Sequence, residues 1–473
     1  MSAFDDVWQT SMDPAYQASR DTGPRSANQP FVEQRLQSLD AYRGLIMITL
    51  AFAGFGLART ATNQAQHLEG LKAQAQSDAH VTQVDQALQA WSAIKFHTTH
   101  VQWVGCSYWD LIQPSFMFMV GASMAFSYAK RRDMGHSFSR MLLHAIWRSL
   151  LLIFLGISLI SNWGSSTNWS LMNVLTQIGL GYTFLFLLWG RSFRTQSEVA
   201  LLLLAGVWCA YYFYPRAGID LETGVPIHAV AAETQVGITP DWAQQNLAGV
   251  ARAWHKNANV GQYLDKHWIL PNLPRNEPYE YNSGGYQTIN FIPSLVTMLL
   301  GLMSGELLKS GRPASYKLLM LLLSGAVGLG LGYALNQSGI CPLIKRLWTP
   351  SWVLYSTGWC CLILAGLYAI IDAAGIRFWA FPLRVVGLNS IAIYCMSQLL
   401  KPWVGDTLER HFGDQVFKLK LKFGEEYYRL SNLDESQDQM IALFEPTIQA
   451  VMVGLVFWLV CFWMYRQKFF VRI

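Results

Sequence analysis

A histidine and an aspartate stand just before a long apolar segment of the chain. His100 and Asp110 belong to the run HVQWVGCSYWDLIQPSFMFMVGASM, which also contains Trp103 and Gly105. A neutral imidazole can take a proton from an amine nucleophile or carry an acyl group itself. A nearby carboxylate can orient the ring or accept a proton. The pattern therefore indicates acyl-transfer chemistry at a membrane face.

Histidine and aspartate also bind metals, but the sequence offers no second pair at ligand spacing, such as H-x-x-x-H or C-x-x-C. A phosphate-cradling G-x-x-x-x-G-K-S loop, a G-x-S-x-G elbow and a dinucleotide fingerprint are likewise not apparent. We therefore predict a site without a metal, in which His100 and Asp110 carry the chemistry.

The composition indicates that the whole chain is built around a membrane. Among 473 residues, 52% are hydrophobic and 14% are charged, whereas about 25% of the residues in an ordinary soluble protein are charged. Ten segments reach or approach the roughly 20 apolar residues that are needed to cross hydrocarbon. We therefore predict an all-α polytopic membrane bundle of about ten transmembrane helices. The predicted spans are approximately residues 40–58, 110–129, 142–160, 170–189, 198–214, 288–308, 317–335, 352–371, 383–400 and 447–465.

Basic residues in the short loops predict the orientation of these spans. They follow the even-numbered spans, and by the positive-inside rule they face the cytoplasm. Both termini are then cytoplasmic, with residues 1–37 forming a polar tail before a transmembrane acyltransferase domain at 38–473. The insertions at 59–109, 215–287 and 401–446 lie on the opposite side. The basic residues are Lys130, Arg131, Arg132, Arg140, Arg191, Arg194, Lys309, Arg312, Lys317, Arg377, Arg384, Arg466 and Lys468.

Polar residues at membrane depth are kept for pairing or function, since an ionisable group near the bilayer centre costs roughly 2.5 to 3.5 kcal/mol. Arg148 lies in the third span, Asn290 opens the sixth and Asn389 lies in the ninth. Arg148 is near the basic end of its span, so snorkelling is one interpretation. In the other, Arg148 joins the basic run at 130–132 in binding the phosphates of a nucleotide-bearing donor that enters from the cytoplasm.

The seven cysteines do not suggest a disulfide framework. Five lie inside hydrophobic spans, where thiols behave as small apolar side chains. Cys106 and Cys341 both fall in outer loops, so a bridge between them stays open as an alternative to two free thiols. The net charge of +5 is spread along the loops and gives no indication of a nucleic-acid partner.

Six segments of the chain follow one another in an order that is specific at the level of a family. SLDAYRG stands at the first span, H-x-x-W-x-G with D-L-I-x-P at the second and WRSLLLIFLGI at the third. GGYQTINFIPSLVTMLLGLMSGELL stands at the sixth, KRLWTPSWVLYS before the eighth and VGLNSIAIY in the ninth. This pattern resembles the heparan-alpha-glucosaminide N-acetyltransferase family and its bacterial relatives, over about residues 36 to 400.

The resemblance implies transmembrane acetyl transfer. Acetyl-CoA would be supplied from the cytoplasm, and a terminal amino sugar would be acetylated on the lumenal or periplasmic side. The histidine of the H-x-x-W-x-G motif, which is catalytic in the family, matches His100. Lys345, Asn389, Asn290 and Arg148 match other motif positions. A site cation at 345 would account for the one basic pair in a short outer loop.

Two positions depart from the family pattern. Counting from Arg43, Gly54 stands where the animal enzyme has an asparagine beside the catalytic histidine, and Gln177 stands where it has an arginine. An asparagine that stabilises an oxyanion contributes about 2 to 4 kcal/mol, so its loss leaves open another acceptor, another acyl group or lost activity. The loop at 59–99 is longer than expected, and its sequence predicts a helix that could cap the outer site.

We therefore predict an acyltransferase of the bacterial inner membrane. Its co-substrate is acetyl-CoA or another acyl-CoA, its partners are an amino sugar or glycan acceptor and membrane lipids, and a homodimer is left open. A transporter or flippase for sugars or lipid-linked sugars is the alternative, and a non-catalytic envelope scaffold is another. The predicted site residues are His100 and Asp110 for catalysis, Trp103, Lys345, Asn290 and Asn389 for the substrate, and Arg148, Lys130, Arg131 and Arg132 for the donor.

Overall fold

Every regular element that the structure describes is a helix, which confirms the all-α prediction. The predicted tail at 1–37 lies almost wholly outside the described residues, as do parts of the predicted insertions at 215–287 and 401–446. The computed structural model describes residues 36–74, 78–217, 237–413, 416–417 and 437–471.

The principal helices are numbered α1 to α15 in chain order. Since α3 ends just before His100 and α4 begins just after Asp110, both site residues fall in the connection between these helices. The second predicted span thus begins two residues later than expected, at Ile112. The helices are α1 (Gln37–Ala51), α2 (Leu57–Gln74), α3 (Asp78–Thr98), α4 (Ile112–Asp133), α5 (Phe138–Ser161), α6 (Val174–Leu188), α7 (Phe193–Tyr212), α8 (Pro240–Leu247), α9 (Phe291–Lys309), α10 (Ala314–Gln337), α11 (Pro350–Leu367), α12 (Phe381–Gly387), α13 (Ser390–Leu399), α14 (Lys401–Phe412) and α15 (Gln437–Arg466).

The described part of the chain contains five helices that are long and apolar enough to cross a membrane, or up to seven if each of two bent pairs forms one span. One bent pair joins α1 to the helix at Ala53–Ala73 with a bend of 45°, and the other joins Phe378–Gly387 to α13 with a bend of 66°. The chain is therefore a helical membrane protein, although the count of ten spans is not confirmed. Three predicted spans are not among these helices. Helix α6 is only 15 residues long, α4 carries basic residues in its last turn, and α7 carries charged residues near its start.

Helices α4 and α9 pack backbone against backbone in the centre of the bundle. A side chain at Gly121 would overlap the backbone of Met298, and one at Gly301 would overlap the backbone of Phe118. Such close approach needs glycine at both contact points. The packing fixes the start of α4, and therefore Asp110, relative to the start of α9.

The predicted helical insertion at 59–99 is present as two helices, α2 and α3, rather than one. They pack against each other, and Lys72 Nζ lies 2.6 Å from Asp85 Oδ1 between them. A turn at Ala53–Gly56 separates α1 from α2, and Gly54 adopts a positive φ of 61° within it. This kink redirects the chain at the end of α1, and α3 then returns it to His100.

Candidate functional site

His100 and Asp110 meet through a short hydrogen bond. The Nδ1 atom of His100 lies 2.7 Å from Oδ1 of Asp110. A carboxylate accepts hydrogen bonds and does not donate them, so the contact places the imidazole proton on Nδ1. In the neutral form of the ring the lone pair is then on Nε2, as a general base or a nucleophile requires.

The second carboxylate oxygen of Asp110 accepts hydrogen bonds from the surrounding loop. Oδ2 accepts hydrogen bonds from the backbone N–H of Val101 at 3.1 Å, the backbone N–H of Ser107 at 3.2 Å and the Ser107 hydroxyl at 2.9 Å. Asp110 stands in the 3₁₀ turn Trp109–Leu111 that leads into α4, and only 2% of its surface is exposed. The carboxylate thus orders the loop and orients His100 at once.

Lys345 reaches the same carboxylate from a distant part of the chain. Its Nζ lies 3.3 Å from Asp110 Oδ1 and 3.2 Å from His100 Nδ1. Because Nδ1 carries the proton that it donates to Asp110, Lys345 donates to the carboxylate and only adjoins the ring. Burial raises the pKa of Asp110, but the hydrogen bond from His100, the charge of Lys345 and a backbone donor outweigh it and leave this pKa well below its usual range.

Contacts between loops set the position of Lys345. The Gly105 N–H donates to the Leu343 carbonyl at 2.9 Å, and Asn290 Nδ2 donates to the Arg346 carbonyl at 2.8 Å. The turn that contains Lys345 ends at Trp348, which is left-handed with a φ of 50°. Asn290 therefore supports the loop on which Lys345 stands.

A cavity of about 290 Å³ opens beside this cluster. His100 and Lys345 both line it, and 41% of the His100 side chain is exposed, so the imidazole is accessible. The sequence analysis did not predict the other lining residues, although Trp109, Gln113 and Phe116 lie in the same run as His100, and Tyr286 lies in the GGYQTIN motif. The rest of the wall is Met47, Leu50, Trp109, Ile112, Gln113, Phe116, Met172, Asn173, Val174, Tyr286, Tyr394 and Gln398.

Three of the four predicted substrate residues lie outside the cavity wall: Asn290, described above, Trp103 and Asn389. Trp103 is 2% exposed, and its Nε1 donates to the Trp254 carbonyl at 3.0 Å. Asn389 stands at the break before α13, where its Nδ2 donates to the Phe469 carbonyl at 3.3 Å and its Oδ1 accepts from the Val471 N–H at 3.1 Å. The structure therefore brings Lys345 to His100, but not Trp103 or Asn389.

Three of the four predicted donor residues lie among aromatic rings at the basic end of α4. Arg131 Nη2 donates to His144 Nε2 at 2.6 Å, and Arg148 Nη1 donates to the Tyr182 hydroxyl at 3.0 Å. Arg132 lies over the Trp189 ring, with its Cζ 5.5 Å from the centroid. Lys130 is exposed and takes no part in these contacts. Within the described residues, no carboxylate pairs with Arg131 or Arg148.

The described residues contain no group of three or more His, Cys, Asp or Glu side chains that could hold a metal ion. All seven cysteines are free. The bridge between Cys106 and Cys341 that the sequence left open is therefore not formed, and Cys341 is buried as a thiol.

Two known enzymes are similar to most of this chain. The heparan-alpha-glucosaminide N-acetyltransferase of Homo sapiens is 24% identical over 392 residues, which cover 76% of this chain and 52% of that enzyme. The enzyme of the same name from Mus musculus is 22% identical over 400 residues, which cover 78% and 54%. This chain is a distant relative of the heparan-alpha-glucosaminide N-acetyltransferases. It spans about half the length of the curated relatives it matches, and no family model matches it.

The two departures from the heparan-alpha-glucosaminide N-acetyltransferase pattern have structural explanations. Gly54 is in the left-handed region, and a Cβ there would lie 2.9 Å from the ring of Trp109. Trp109 thus fills the space that an asparagine side chain would need. Gln177 is 2% exposed and donates to the carbonyls of Leu171 at 2.8 Å and Thr288 at 3.1 Å. It ties the start of α6 to the turn before α9.

Proposed function

We propose that this protein is a transmembrane acyltransferase that moves an acetyl or other acyl group from a cytoplasmic acyl-CoA to the amine of an amino sugar or glycan on the outer, periplasmic side. The observation that carries the proposal is the 2.7 Å contact between His100 Nδ1 and Asp110 Oδ1 beside an accessible cavity. In the neutral imidazole this contact puts the proton on Nδ1 and directs the lone pair of Nε2 away from Asp110. The distant relationship to enzymes named as N-acetyltransferases supports the same chemistry.

Two routes use the same nitrogen. In the first, Nε2 of His100 takes a proton from the acceptor amine while the amine nitrogen attacks the thioester carbonyl; the C–S bond breaks, and the leaving thiolate receives that proton. In the second, Nε2 attacks the carbonyl and the C–S bond breaks, which gives an acyl-imidazolium and a thiolate; the amine then attacks the acyl carbon, the C–Nε2 bond breaks, and the proton lost by the amine balances the one taken up by the thiolate. Both end in an amide and a free thiol, with no other reactant.

The residues around His100 are proposed to have separate roles in the reaction. Asp110 holds the ring and stabilises the positive charge that develops on it. Lys345 lines the cavity, so its ammonium is proposed to hold the acceptor or the carbonyl oxygen. Trp103 and Asn290 act on the substrate through the loops that they support, because both are buried outside the cavity wall.

The donor phosphates are proposed to bind at the basic end of α4. Arg131 and Arg148 point donors into an aromatic cluster that contains Tyr128 and Tyr182. Guanidinium groups without carboxylate partners suit phosphate, which they bind through paired hydrogen bonds. In this arrangement Arg132 and Lys130 add positive charge at the membrane surface, and both termini lie in the cytoplasm.

The experiment is a thiol-release assay. Purified protein is given acetyl-CoA, or a longer acyl-CoA, with a panel of amino sugars, and free thiol and N-acylated sugar are measured together. The proposal expects both products in equal amounts. The transporter alternative predicts uptake of unmodified sugar into sealed vesicles, and the scaffold alternative predicts neither result. Equal thiol release with and without an acceptor would leave only a hydrolase.

A further inference from the structure

Gln113 is an amide side chain among apolar neighbours in the cavity wall. It stands in the first turn of α4 between Ile112 and Phe116, which line the same cavity and are buried. Gln113 itself is only partly buried. In the part of the chain that the structure describes, its amide has no hydrogen-bond partner. A polar group is costly at the end of a membrane helix unless something binds it, and here the cavity is the place from which a partner can come.

Helical spacing places Gln113 beside the residues that contact the His100 ring. The 3₁₀ turn Trp109–Leu111 runs into α4 without a break in the helical backbone. Residues three or four apart on a helix are neighbours, with Cβ atoms about 5 to 6 Å apart. Gln113 follows Asp110 by three residues and Trp109 by four. Asp110 binds Nδ1 of His100, and the Trp109 ring centroid lies 6.3 Å from that of His100. Gln113 therefore adjoins both neighbours of the imidazole.

Acyl transfer develops a negative charge that the His100 cluster does not bind by itself. Attack on the thioester carbonyl moves an electron pair onto its oxygen, which stays negative until the C–S bond breaks. Hydrogen-bond donors aimed at this oxygen lower the barrier. The Nδ1 proton of His100 is used by Asp110, and Lys345 Nζ lies at the same edge of the ring, 3.3 Å from Asp110 Oδ1. The amide of Gln113 carries two N–H donors, and no described group uses them.

We propose that Gln113 is a further catalytic residue, whose side-chain amide donates a hydrogen bond to the carbonyl oxygen of the acyl group as that oxygen becomes negative. This inference rests on the proposed function, because it adds a role to the same transfer reaction. The amide keeps its protons throughout, so the balance of bonds and protons in the transfer is unchanged. Lys345 is then left to hold the acceptor, and Nε2 of His100 remains the group that reacts.

The first test separates kcat from KM in the purified full chain. Gln113→Met keeps the length of the side chain and removes both donors, whereas Gln113→Glu keeps the shape and adds a negative charge. With acetyl-CoA and the amino sugar that the parent acylates best, Gln113→Met should lower kcat by about 10²- to 10³-fold, the range for loss of one oxyanion donor. Gln113→Glu should lower it at least as much. Both KM values should change little, because the hydrogen bond strengthens only in the transition state.

Gln102→Met is the matched control. Gln102 is exposed in the same loop as His100 and lies outside the cavity wall, so this variant should keep the parent kcat. An unchanged kcat in Gln113→Met and Gln113→Glu would overturn the assignment, and so would an equal loss in Gln102→Met. An acceptor KM that rises while kcat holds would make Gln113 a sugar-binding residue instead. Thermal unfolding identifies a destabilised variant, and the kcat of the other Gln113 variant then decides.

A second measurement reports the hydrogen bond without turnover. A ketone analogue of acetyl-CoA, in which a methylene group replaces the thioester sulfur, cannot release its acyl group. The infrared band of its isotopically labelled carbonyl moves to lower wavenumber when the oxygen accepts a hydrogen bond. We expect this shift in the parent and in Gln102→Met, and a smaller one in Gln113→Met.

The two measurements distinguish the proposed function from the role of Gln113. If the carbonyl shift depends on Gln113 but no amino sugar is acylated, the proposed function fails and the contact of Gln113 with the carbonyl stands. Acyl transfer by the parent, with the same carbonyl shift in the parent and in Gln113→Met, keeps the function and rejects the role of Gln113. The absence of any shift in the parent rejects that role whatever the activity.

Discussion

The two ends of the bundle hold their polar groups in opposite ways. At the end where α4 begins, which the proposed function places outside and which is therefore called the outer end, His100, Asp110 and Lys345 form a cluster with an anion between a ring N–H and an ammonium. At the basic end of α4, Arg131 and Arg148 contact a histidine and a tyrosine, and no carboxylate in the described residues neutralises them. The first cluster thus carries its own counter-charge, whereas Arg131 and Arg148 have none in the part of the chain that the structure describes.

This difference separates chemistry from binding. A reacting group has to be held in one orientation and one tautomer, and an internal carboxylate does that without help from the substrate. A group that binds a phosphate needs free donors, so a carboxylate partner would compete with the ligand. We therefore expect substitutions at the outer end to lower kcat, and substitutions at the basic end to raise the KM of the donor.

The strongest test of the outer end is His100→Ala. Removal of a general base or acyl carrier lowers kcat by about 10² to 10⁴-fold, and the KM values of donor and acceptor should change little. His97→Ala is the control, since His97 is exposed in the last turn of α3 and lies outside the cavity wall. Equal thiol release and sugar acylation by His100→Ala and His97→Ala would remove His100 from the mechanism.

Asp110→Asn tests whether the carboxylate sets the position of the ring proton on His100 as well as supplying a negative charge. The amide can donate to Nδ1 of His100, which moves the ring proton to Nε2 and blocks that nitrogen; kcat should fall by about 10²-fold or more. The variant also leaves Lys345 buried without its anion, a change that costs about 3 to 5 kcal/mol. Since the pKa of Asp110 is below its usual range, the carboxyl stays ionised from pH 6 to pH 9, and its own titration adds no pH dependence to the stability deficit in this window.

The ionised Asp110 stabilises the folded chain at neutral pH, and this contribution is lost at low pH. A lowered carboxyl pKa contributes stability above the pKa of the unfolded chain, about 3.9, and this contribution is lost as pH falls through the folded value. Ser107→Ala is the comparison, because it removes one hydroxyl donor to Asp110 and leaves the His100 contact. A deficit that disappears between pH 6 and pH 9 would contradict a permanently ionised Asp110.

The site could be predicted from sequence where its contacts are local. The pairing of His100 with Asp110 spans a short loop, and a carboxylate close in sequence is the natural partner for the ring. Lys345 is 235 residues from Asp110, so no spacing rule predicts their contact; the family motif and the unusual basic pair in a short loop indicated Lys345 instead. Asn389 was predicted to bind the substrate from a family motif alone; in the structure its amide side chain binds the backbone at residues 469 and 471.

The spans show the same limit. Apolar content predicted one helix at 383–400, but the chain bends by 66° between Phe378–Gly387 and α13. The polar Asn389 stands at that break, where its hydrogen bonds to the last described segment stabilise an irregular backbone. Hydropathy does not distinguish a buried break from a continuous span. The same holds at Gly54, where a kink divides a segment that was expected to be one helix.

Arg148→Gln tests whether the basic end of α4 binds the phosphates of the donor. Loss of a guanidinium that meets a phosphate should raise the KM of the acyl-CoA donor by about 10-fold or more, since a hydrogen bond to a charged group contributes about 1.5 to 3 kcal/mol. The kcat at saturating donor should stay near that of the parent. Arg140→Gln removes an exposed cation from the same end and serves as the control. A fall in kcat with an unchanged donor KM would place Arg148 outside the donor site.

The smallest expected effect concerns a second buried carboxylate. Asp265 accepts the Thr288 N–H at 2.9 Å, but no cation pairs with it in the described structure, and burial raises its pKa to about 6. Between the unfolded value, about 3.9, and pH 6 the folded chain therefore binds more protons than the unfolded chain. The free energy of unfolding then falls as pH rises, by at most about 3 kcal/mol, and is flat above that window.

Asp265→Asn should remove this slope and raise the melting temperature at pH 7.5, as measured by thermal unfolding in lipid nanodiscs from pH 4 to pH 8. Asp241→Asn, at an exposed position in α8, should keep the parent profile. Asp110 and Asp265 are then a matched pair: both are buried, but only Asp110 has a cation within contact distance. If Asp265→Asn and the parent lose stability alike between pH 4 and pH 6, the nearby cation is not what separates the two carboxylates.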